Sequence, residues 1–291
     1  MVAHGVPPFP PGRKPGVKRD RPSKIMDRCD SVRTQIELIK PQYWDEIADT
    51  RFHQSRRSRF RYTLDQNGFG SCAGESATGH KAACDARQGL PLVVYNGLFP
   101  YHTTSGGRDN GSVIGENVEF IREHGVCPEE VWPRSKGFRA EPSAEAKRVA
   151  EFFKLIDFFY VETIDEFVSA LLQGFDIHAG YTGHAIVFNR YLKRRTVEYK
   201  NSWGNWGDNG FGSLSLSKIH FPYGAYAYKN VRIFTPDEWT PKTDQRRLAT
   251  AVSSFMEAMH ETRDTLPWSK QRDQWREDIY GKSMEACGIA I

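Results

Sequence analysis

The sequence predicts an α+β fold, because helical patterns fill the first half of the chain and short strand patterns follow them. In VIGENVEFIREHG, residues 113–125, apolar residues recur at helical spacing and the pattern ends in His-Gly, as helices do. Further along, HAIVFNRYL and RTVEYKNSW are short, rich in β-branched or aromatic residues and bounded by turns. These two runs predict antiparallel strands that a tight turn at KRR joins into a hairpin.

The other elements keep this order of helices before strands. A helix is predicted over residues 72–88, ended by a Gly-Leu-Pro sequence. SAEAKRVAEFFKLI and TIDEFVSALLQG predict two more helices, and GFGSLSLS and YGAYAYKNVRIFT predict two more strands. Gly74 and Gly79 weaken the first of these helices locally but let it lie close to another element.

Three segments of the chain differ in composition. Residues 1–38 form a basic arm rich in Pro and Gly, whose first 25 residues predict a disordered or polyproline II chain. Residues 39–235 hold the main domain, with a helical lobe over about 65–150 and a β-rich lobe over about 151–235. Residues 236–291 predict a helical C-terminal extension, because LATAVSSFMEAMHETRD carries an amphipathic apolar stripe.

Composition and cysteine usage exclude several classes of protein. Apolar residues make up 39% and charged residues 26%, as in ordinary globular proteins. No apolar run is long enough to span a bilayer, and the N-terminus lacks the apolar core of a signal peptide. The five cysteines are irregularly spaced without a CxxC pair, which argues against a disulfide framework and a zinc site. We therefore expect an intracellular, cytoplasmic protein with no metal and no cofactor.

Two clusters of basic residues bear on the choice of partners. Residues 1–24 contain six Lys or Arg and one acid, and RFHQSRRSRFRY contains five Arg and no acid. Such clusters attract phosphates or acidic partners, although neither matches a DNA-binding motif. A solvated surface is the first interpretation of both clusters, 13–24 and 51–61, and binding of nucleic acid or an acidic partner is the alternative.

The stretch DQNGFGSCAG places Cys72 at the predicted start of a helix. Unpaired N–H groups and the positive end of the helix dipole lower the pKa of a thiol there, which favours the nucleophilic thiolate. Gln66, just upstream, can join the Cys72 backbone N–H in donating hydrogen bonds to an oxyanion. The stretch therefore predicts attack of sulfur on a carbonyl group.

His184 and Asn201 are the candidates for the base and for the group that orients it. His184 begins the first strand of the predicted hairpin and Asn201 ends the second, so the pairing brings them together at its open end. The Asn201 amide oxygen then holds one ring nitrogen while the other faces sulfur. Trp203 and Trp206 are predicted to cover this hydrogen bond and exclude water.

These motifs carry a resemblance to a known family. The chain resembles papain-like cysteine peptidases over about residues 40–235, in Gln66, in GSC at 70–72, in GHA at 183–185, in NSWG at 201–204 and in DNGF at 208–211. The resemblance implies two lobes, one helical and headed by Cys72, the other β-rich and bearing His184 and Asn201. The active site would lie in the cleft between them.

The resemblance also implies a role for each site residue. Cys72 would be the nucleophile, His184 the general base and then acid, Asn201 the orienter and Gln66 the oxyanion donor. DNGSV at 109–113 resembles the stretch that pairs with substrate backbone, so the expected substrate-binding residues are Gly111, Ser112, Trp203 and Trp206. The chain departs from the family at Ala73, where Trp is usual, and at Phe69, where a disulfide-forming Cys is common. These departures leave substrate specificity open.

Three functions follow from these observations. The first is a thiol-dependent endopeptidase or related hydrolase that acts on a peptide or protein substrate. The second is an amidase or acyl transferase that acts on cell-wall or isopeptide bonds. The third is a binding or assembly protein that keeps the papain-like scaffold and binds nucleic acid or an acidic partner through its basic clusters.

Overall fold

The computed structural model describes residue 9 and residues 11–51, 56–90 and 92–228. The predicted helical extension at 236–291 lies outside these residues. The chain divides into two compact units. Apart from Arg87, the elements described below all belong to the unit of residues 1–86 and 92–232.

The helices concentrate in the first half of the described chain, as predicted. They are α1 (Pro22–Arg28), α2 (Trp44–Arg51), α3 (Cys72–Arg87), α4 (Leu98–Thr104), α5 (Ile114–His124), α6 (Ala144–Ala150), α7 (Ile164–Leu172) and α8 (Trp206–Asn209). The pattern ending in His-Gly is confirmed, because Gly125 caps α5 with a left-handed φ of 77°. Within the described ranges, none of these helices has the length and hydrophobicity of a membrane-spanning segment.

The strands form a two-stranded and a six-stranded sheet among the described residues. They are β1 (Val17–Lys18), β2 (Ser112–Val113), β3 (Phe158–Tyr160), β4 (Ile177–Tyr181), β5 (His184–Leu192), β6 (Thr196–Lys200), β7 (Phe211–Ser215) and β8 (Ala225–Tyr228). The larger sheet is antiparallel throughout, in the order β3-β8-β4-β5-β6-β7. The predicted hairpin is β5–β6, with Leu192 opposite Thr196. The α+β prediction is confirmed.

The main apolar core lies between this sheet and α7. A capping box starts α7: the Thr163 hydroxyl accepts the Glu166 N–H, and the Glu166 carboxylate accepts the Thr163 N–H. Phe167 of α7 then packs edge-on against Phe188 of β5, with ring centroids 5.0 Å apart. This packing holds the strand that begins at His184.

Helix α3 is buried along most of its length, in the helical half of the unit. Small residues make this possible. A Cβ at Gly74 would clash with the Gly97 carbonyl oxygen, so the residue at this position must lack a side chain. The expectation that Gly74 lets α3 approach another element is therefore confirmed.

The N-terminal arm is folded where the sequence predicts a disordered or polyproline II chain. That prediction is wrong for residues 17–25, because β1 pairs in parallel with β2 and α1 follows. A buried polar group anchors the segment. Asp20 accepts hydrogen bonds from Arg28 Nη1 at 2.7 Å and from the Tyr226 hydroxyl at 2.7 Å.

The second basic cluster, residues 51–61, is less exposed than its first interpretation requires at Arg56 and Arg57. Arg56 is 5% exposed, and its guanidinium donates to the backbone oxygens of Leu171 and Asn189. Arg57 pairs with Glu198 at 2.7 Å. These arginines satisfy buried acceptors within the fold, so a solvated basic face is the wrong description for this part of the cluster.

We expect Asp20→Asn to lower the free energy of unfolding by about 1–3 kcal/mol, because it removes the buried carboxylate that accepts from Arg28 and from Tyr226, while Glu119 still pairs with Arg28. Urea denaturation measures the change. Asp27→Asn, on the exposed side of α1, is the matched control and is expected to stay within about 0.5 kcal/mol of the parent. Equal stability of the two variants would contradict the anchoring role of Asp20.

Candidate active site

The Cys72 thiol lies where the start of α3 meets the start of β5. Its side chain is fully buried. The backbone N–H groups of Ala73 in its own helix, of Ala185 in β5 and of Gly16 in the arm lie close enough to favour its thiolate form. The Cys72 thiol is therefore next to the peptide bond that links His184 to Ala185, although Cys72 and His184 are far apart in sequence.

His184 and Asn201 meet at the open end of the hairpin. His184 is the first residue of β5, and Asn201 directly follows β6. The register that pairs Val187 with Lys200 sets them side by side. His184 Nε2 lies 2.7 Å from Asn201 Oδ1, and Asn201 is held in turn by its backbone N–H, which donates to the Gly210 carbonyl at 2.8 Å.

This hydrogen bond determines the tautomer of the imidazole. Asn201 Oδ1 only accepts, so Nε2 carries the proton and Nδ1 carries a lone pair in the neutral ring. Nδ1 is buried and has no hydrogen-bond partner among the described residues. It is the ring nitrogen able to take a proton from a thiol.

Trp203 covers the His184 ring, and Trp206 lies one layer further out. The Trp203 and His184 rings stack with centroids 4.5 Å apart. Trp206 meets Trp203 edge-on at 5.7 Å and stacks on Tyr199. The sequence places both tryptophans over the His-Asn hydrogen bond, whereas in the structure only Trp203 stacks on the imidazole.

The Gln66 side chain is held with its amide N–H₂ group facing the arm. Its Oε1 accepts the Trp203 indole N–H at 3.0 Å, and its backbone N–H donates to the Ser202 carbonyl at 3.0 Å. Nε2 donates to the Phe69 carbonyl at 2.6 Å and to the Lys14 carbonyl at 3.3 Å. One of the two amide protons thus reaches the carbonyl of Lys14, which belongs to the N-terminal arm lying in the cleft.

The segment at the site is the chain's own arm, and Gly16 lies against the thiol. A Cβ at Gly16 would clash with the Gly70 carbonyl oxygen and lie 2.9 Å from the Cys72 sulfur. The N–H groups of Gly16 and Val17 both donate to the Gly183 carbonyl at 3.1 Å. The arm also supplies Phe9, whose ring lies edge-on to His184 at 5.6 Å.

Gly111 and Ser112 form the wall on the other side of the arm. The Ser112 N–H donates to the Gly16 carbonyl at 2.9 Å. Gly111 has a φ of 80°, and a Cβ there would lie 2.5 Å from the same carbonyl oxygen. These residues therefore contact the backbone of the chain's own arm, and their role in binding a substrate stays a prediction.

Burial under the arm makes both reactive groups neutral. Desolvation raises the pKa of Cys72 to about 12, although the three backbone N–H groups act in the opposite direction. Desolvation likewise lowers the pKa of His184 to about 4, against the hydrogen bond to Asn201. The sequence predicts a thiol pKa lowered by the helix N-terminus. In the covered site the loss of water outweighs that field.

Sequence reasoning missed an ion pair beside Cys72. Glu75 is fully buried one turn after Cys72, and Arg134 binds both of its carboxylate oxygens, at 2.7 and 2.8 Å. Arg134 Nη2 also donates to the Asp65 carbonyl at 2.6 Å. The guanidinium therefore ties α3 to the loop that carries Gln66. No local pattern signals this contact, because 59 positions separate the two charges.

Among the described residues, no group of three or more His, Cys, Asp or Glu side chains is arranged to hold a metal ion. Cys29, Cys72, Cys84 and Cys127 form no disulfide bond there.

No family profile and no curated protein sequence matches the chain. Its fold, however, is similar to solved cysteine proteases. Xylellain from Xylella fastidiosa aligns over 79% of this chain and 97% of its own, at 19% identity and a TM-score of 0.50. The clostridial cysteine protease Cwp84, solved after propeptide cleavage, aligns over 60% of this chain and 56% of its own, at 16% identity and a TM-score of 0.50.

A third similar structure is digestive procathepsin L 3 of Tenebrio molitor larval midgut, at 14% identity and a TM-score of 0.49, over 70% of this chain and 77% of its own. At such identities structural similarity is evidence for the fold and not for activity. The similarity to xylellain and Cwp84 confirms that this chain has the papain-like fold.

Proposed function

We propose that the protein is a thiol-dependent endopeptidase that cleaves peptide bonds through an acyl-enzyme on Cys72. The observation that carries the proposal is the buried His184–Asn201 hydrogen bond, which leaves Nδ1 unpaired in the cleft that holds the Cys72 thiol. Nδ1 makes no hydrogen bond to the thiol while the arm covers the site, and a base fixed in one tautomer in the same cleft is placed to take the thiol proton when the cleft opens.

In the proposed reaction, His184 Nδ1 takes the thiol proton and the sulfur attacks the substrate carbonyl carbon. The imidazolium then gives this proton to the departing amine, and the peptide C–N bond breaks. Water next loses a proton to Nδ1 and attacks the thioester, which releases the acid and restores the thiol. Asn201 keeps Nε2 protonated throughout and stabilises the imidazolium.

Gln66 is the proposed oxyanion donor. Its Nε2 already donates to a backbone carbonyl, that of Lys14, and Trp203 prevents the amide from turning over because it holds Oε1. A donor held in place before reaction costs no reorganisation when negative charge develops on oxygen. The Cys72 backbone N–H is the proposed second donor.

The arm supports a peptide substrate over the alternatives. The ligand in the cleft is a polypeptide whose backbone is bound on both sides, by the Ser112 N–H and the Gly183 carbonyl. An extended peptide is thus the shape that the cleft accommodates. Because the same segment buries Cys72, a substrate enters only when the arm moves away or is removed.

We expect Gly16→Val to expose the thiol. Overpacking against the Gly70 carbonyl and the sulfur destabilises the covered form by about 1–3 kcal/mol, which raises the labelling rate of Cys72 by an epoxide about 5- to 150-fold. The rate is followed by mass spectrometry on the full chain. Arg19→Val puts the same side chain at an exposed arm position and is expected to leave the rate unchanged.

The same variant tests the pKa of the nucleophile. Thiolate forms as the pH rises through the pKa, so a thiol with a pKa of about 12 keeps gaining reactivity up to strongly alkaline pH. Contact with water lowers that pKa, and the labelling rate of Gly16→Val is expected to level off at a lower pH than that of the parent. Identical pH profiles would contradict burial by the arm.

We expect Cys72→Ala, in the Gly16→Val background, to lose epoxide labelling and at least about 10³-fold of peptide cleavage. His184→Ala is expected to lose cleavage to a similar degree, because no base then takes the thiol proton. Cys29→Ser, which removes a half-buried thiol far from the hairpin in sequence, is the control and keeps both. Cleavage that survives Cys72→Ala would refute the peptidase proposal.

A further inference from the structure

The arm brings two adjacent basic side chains onto two separate carboxylates of the cleft. The Arg13 guanidinium makes a two-pronged contact with Asp65, in which Nη2 lies 2.8 Å from Oδ2. Lys14 Nζ lies 2.9 Å from Asp109 Oδ2. Two-pronged pairs of this kind are among the stronger and more directional charge contacts in proteins.

Both carboxylates are held by the protein as well as by the arm. Asp109 Oδ1 accepts the Gly70 N–H at 2.7 Å and the Tyr101 hydroxyl at 3.1 Å, which leaves Oδ2 facing Lys14. Asp65 directly precedes Gln66, and its Oδ1 accepts the Asn67 N–H at 2.8 Å. The two acceptors therefore stay in place when the arm leaves.

The carboxylates also keep their charge in this setting. Burial opposes ionisation of each, but hydrogen bonds from Arg13 and Lys14 and from backbone N–H groups outweigh it and lower the pKa of both Asp65 and Asp109. Two negative charges thus lie on the rim at neutral pH, one of them next to the Gln66 donor.

The arm itself is bound out of register for cleavage. The arm residue that lies against the Cys72 sulfur is Gly16, whereas the carbonyl that reaches Gln66 Nε2 belongs to Lys14, two residues earlier. Attack requires one carbonyl to reach both the sulfur and the donor. The arm therefore occupies the cleft without being placed for cleavage, and its side chains indicate which residues the cleft can bind.

We propose that Asp65 and Asp109 select substrates, so that the cleft prefers peptides with two adjacent basic residues next to the scissile bond. The expected preference in kcat/KM rests on the proposed peptidase function. The expected preference in binding rests on the two carboxylates alone. The proposed substrate class is basic peptides.

The test compares two peptides that differ only in an Arg-Lys pair replaced by Gln-Gln. Gly16→Val opens the cleft for both measurements, and the double variant Arg13→Gln, Lys14→Gln is a second open background if the first fails to fold. We expect kcat/KM to be at least about tenfold higher for the basic peptide. Fluorescence titration of the same peptides into the Cys72→Ala form is expected to give a similar ratio of Kd values.

Asp65→Asn and Asp109→Asn are each expected to reduce the kcat/KM ratio and the Kd ratio of the two peptides about two- to tenfold. Each variant removes one carboxylate that pairs with a basic side chain in a partly exposed position. Asp27→Asn, an exposed acid on α1, is the control and keeps the parent ratios. Preference for the basic peptide should also weaken with added salt.

The two proposals fail separately in this design. If neither peptide is cleaved but the basic one binds more tightly, peptidase function is refuted and the carboxylate preference stands. If both peptides bind and react equally well, or if the Asn variants keep the parent ratios, the inference is overturned and the two carboxylates serve only to hold the arm.

Discussion

One buried hydrogen bond, from His184 Nε2 to Asn201 Oδ1, organises the rest of the site. It can form only because the β5–β6 register brings the start of one strand beside the end of the other. It determines which ring nitrogen has a lone pair, and Trp203 shields it from water by stacking on the imidazole. Without it the ring would be free to change tautomer, and the proposed base for the Cys72 thiol would have no fixed orientation.

The two halves of the site are joined by contacts on either side of the nucleophile. On one side Gln66 binds the β-rich half through the Ser202 carbonyl and the Trp203 indole. On the other, Arg134 binds Glu75 in α3 and the backbone of the Gln66 loop. A buried pair of this kind is costly to break on one side, since the remaining charge is left without a partner. Together these contacts hold the thiol, the imidazole and the amide donor in one arrangement, over which the arm closes.

Sequence patterns predict the local parts of this arrangement. The start of α3 at Cys72 and the hairpin that begins at His184 follow from turn residues and from the change of period, and the α+β class follows from their order. The path of the arm does not, because it depends on Gly16 fitting against Gly70 and the sulfur. Long-range charge pairs such as Arg134 with Glu75 have no local signature either. The sequence predicts an activated thiolate, but burial raises the pKa of the thiol instead. A helix N-terminus can be recognised in a sequence, whereas burial under a distant segment cannot.

The most direct test of this account is the state of the His184 imidazole, read by nitrogen NMR of the full chain across a pH titration. The ring nitrogen shifts distinguish the two neutral tautomers from the imidazolium. The account predicts a neutral ring protonated at Nε2 at pH 7, with a pKa of about 4. In Gly16→Val the pKa should rise, because water again reaches the ring. An imidazolium at pH 7 in the parent protein, or a neutral ring protonated at Nδ1, would contradict it.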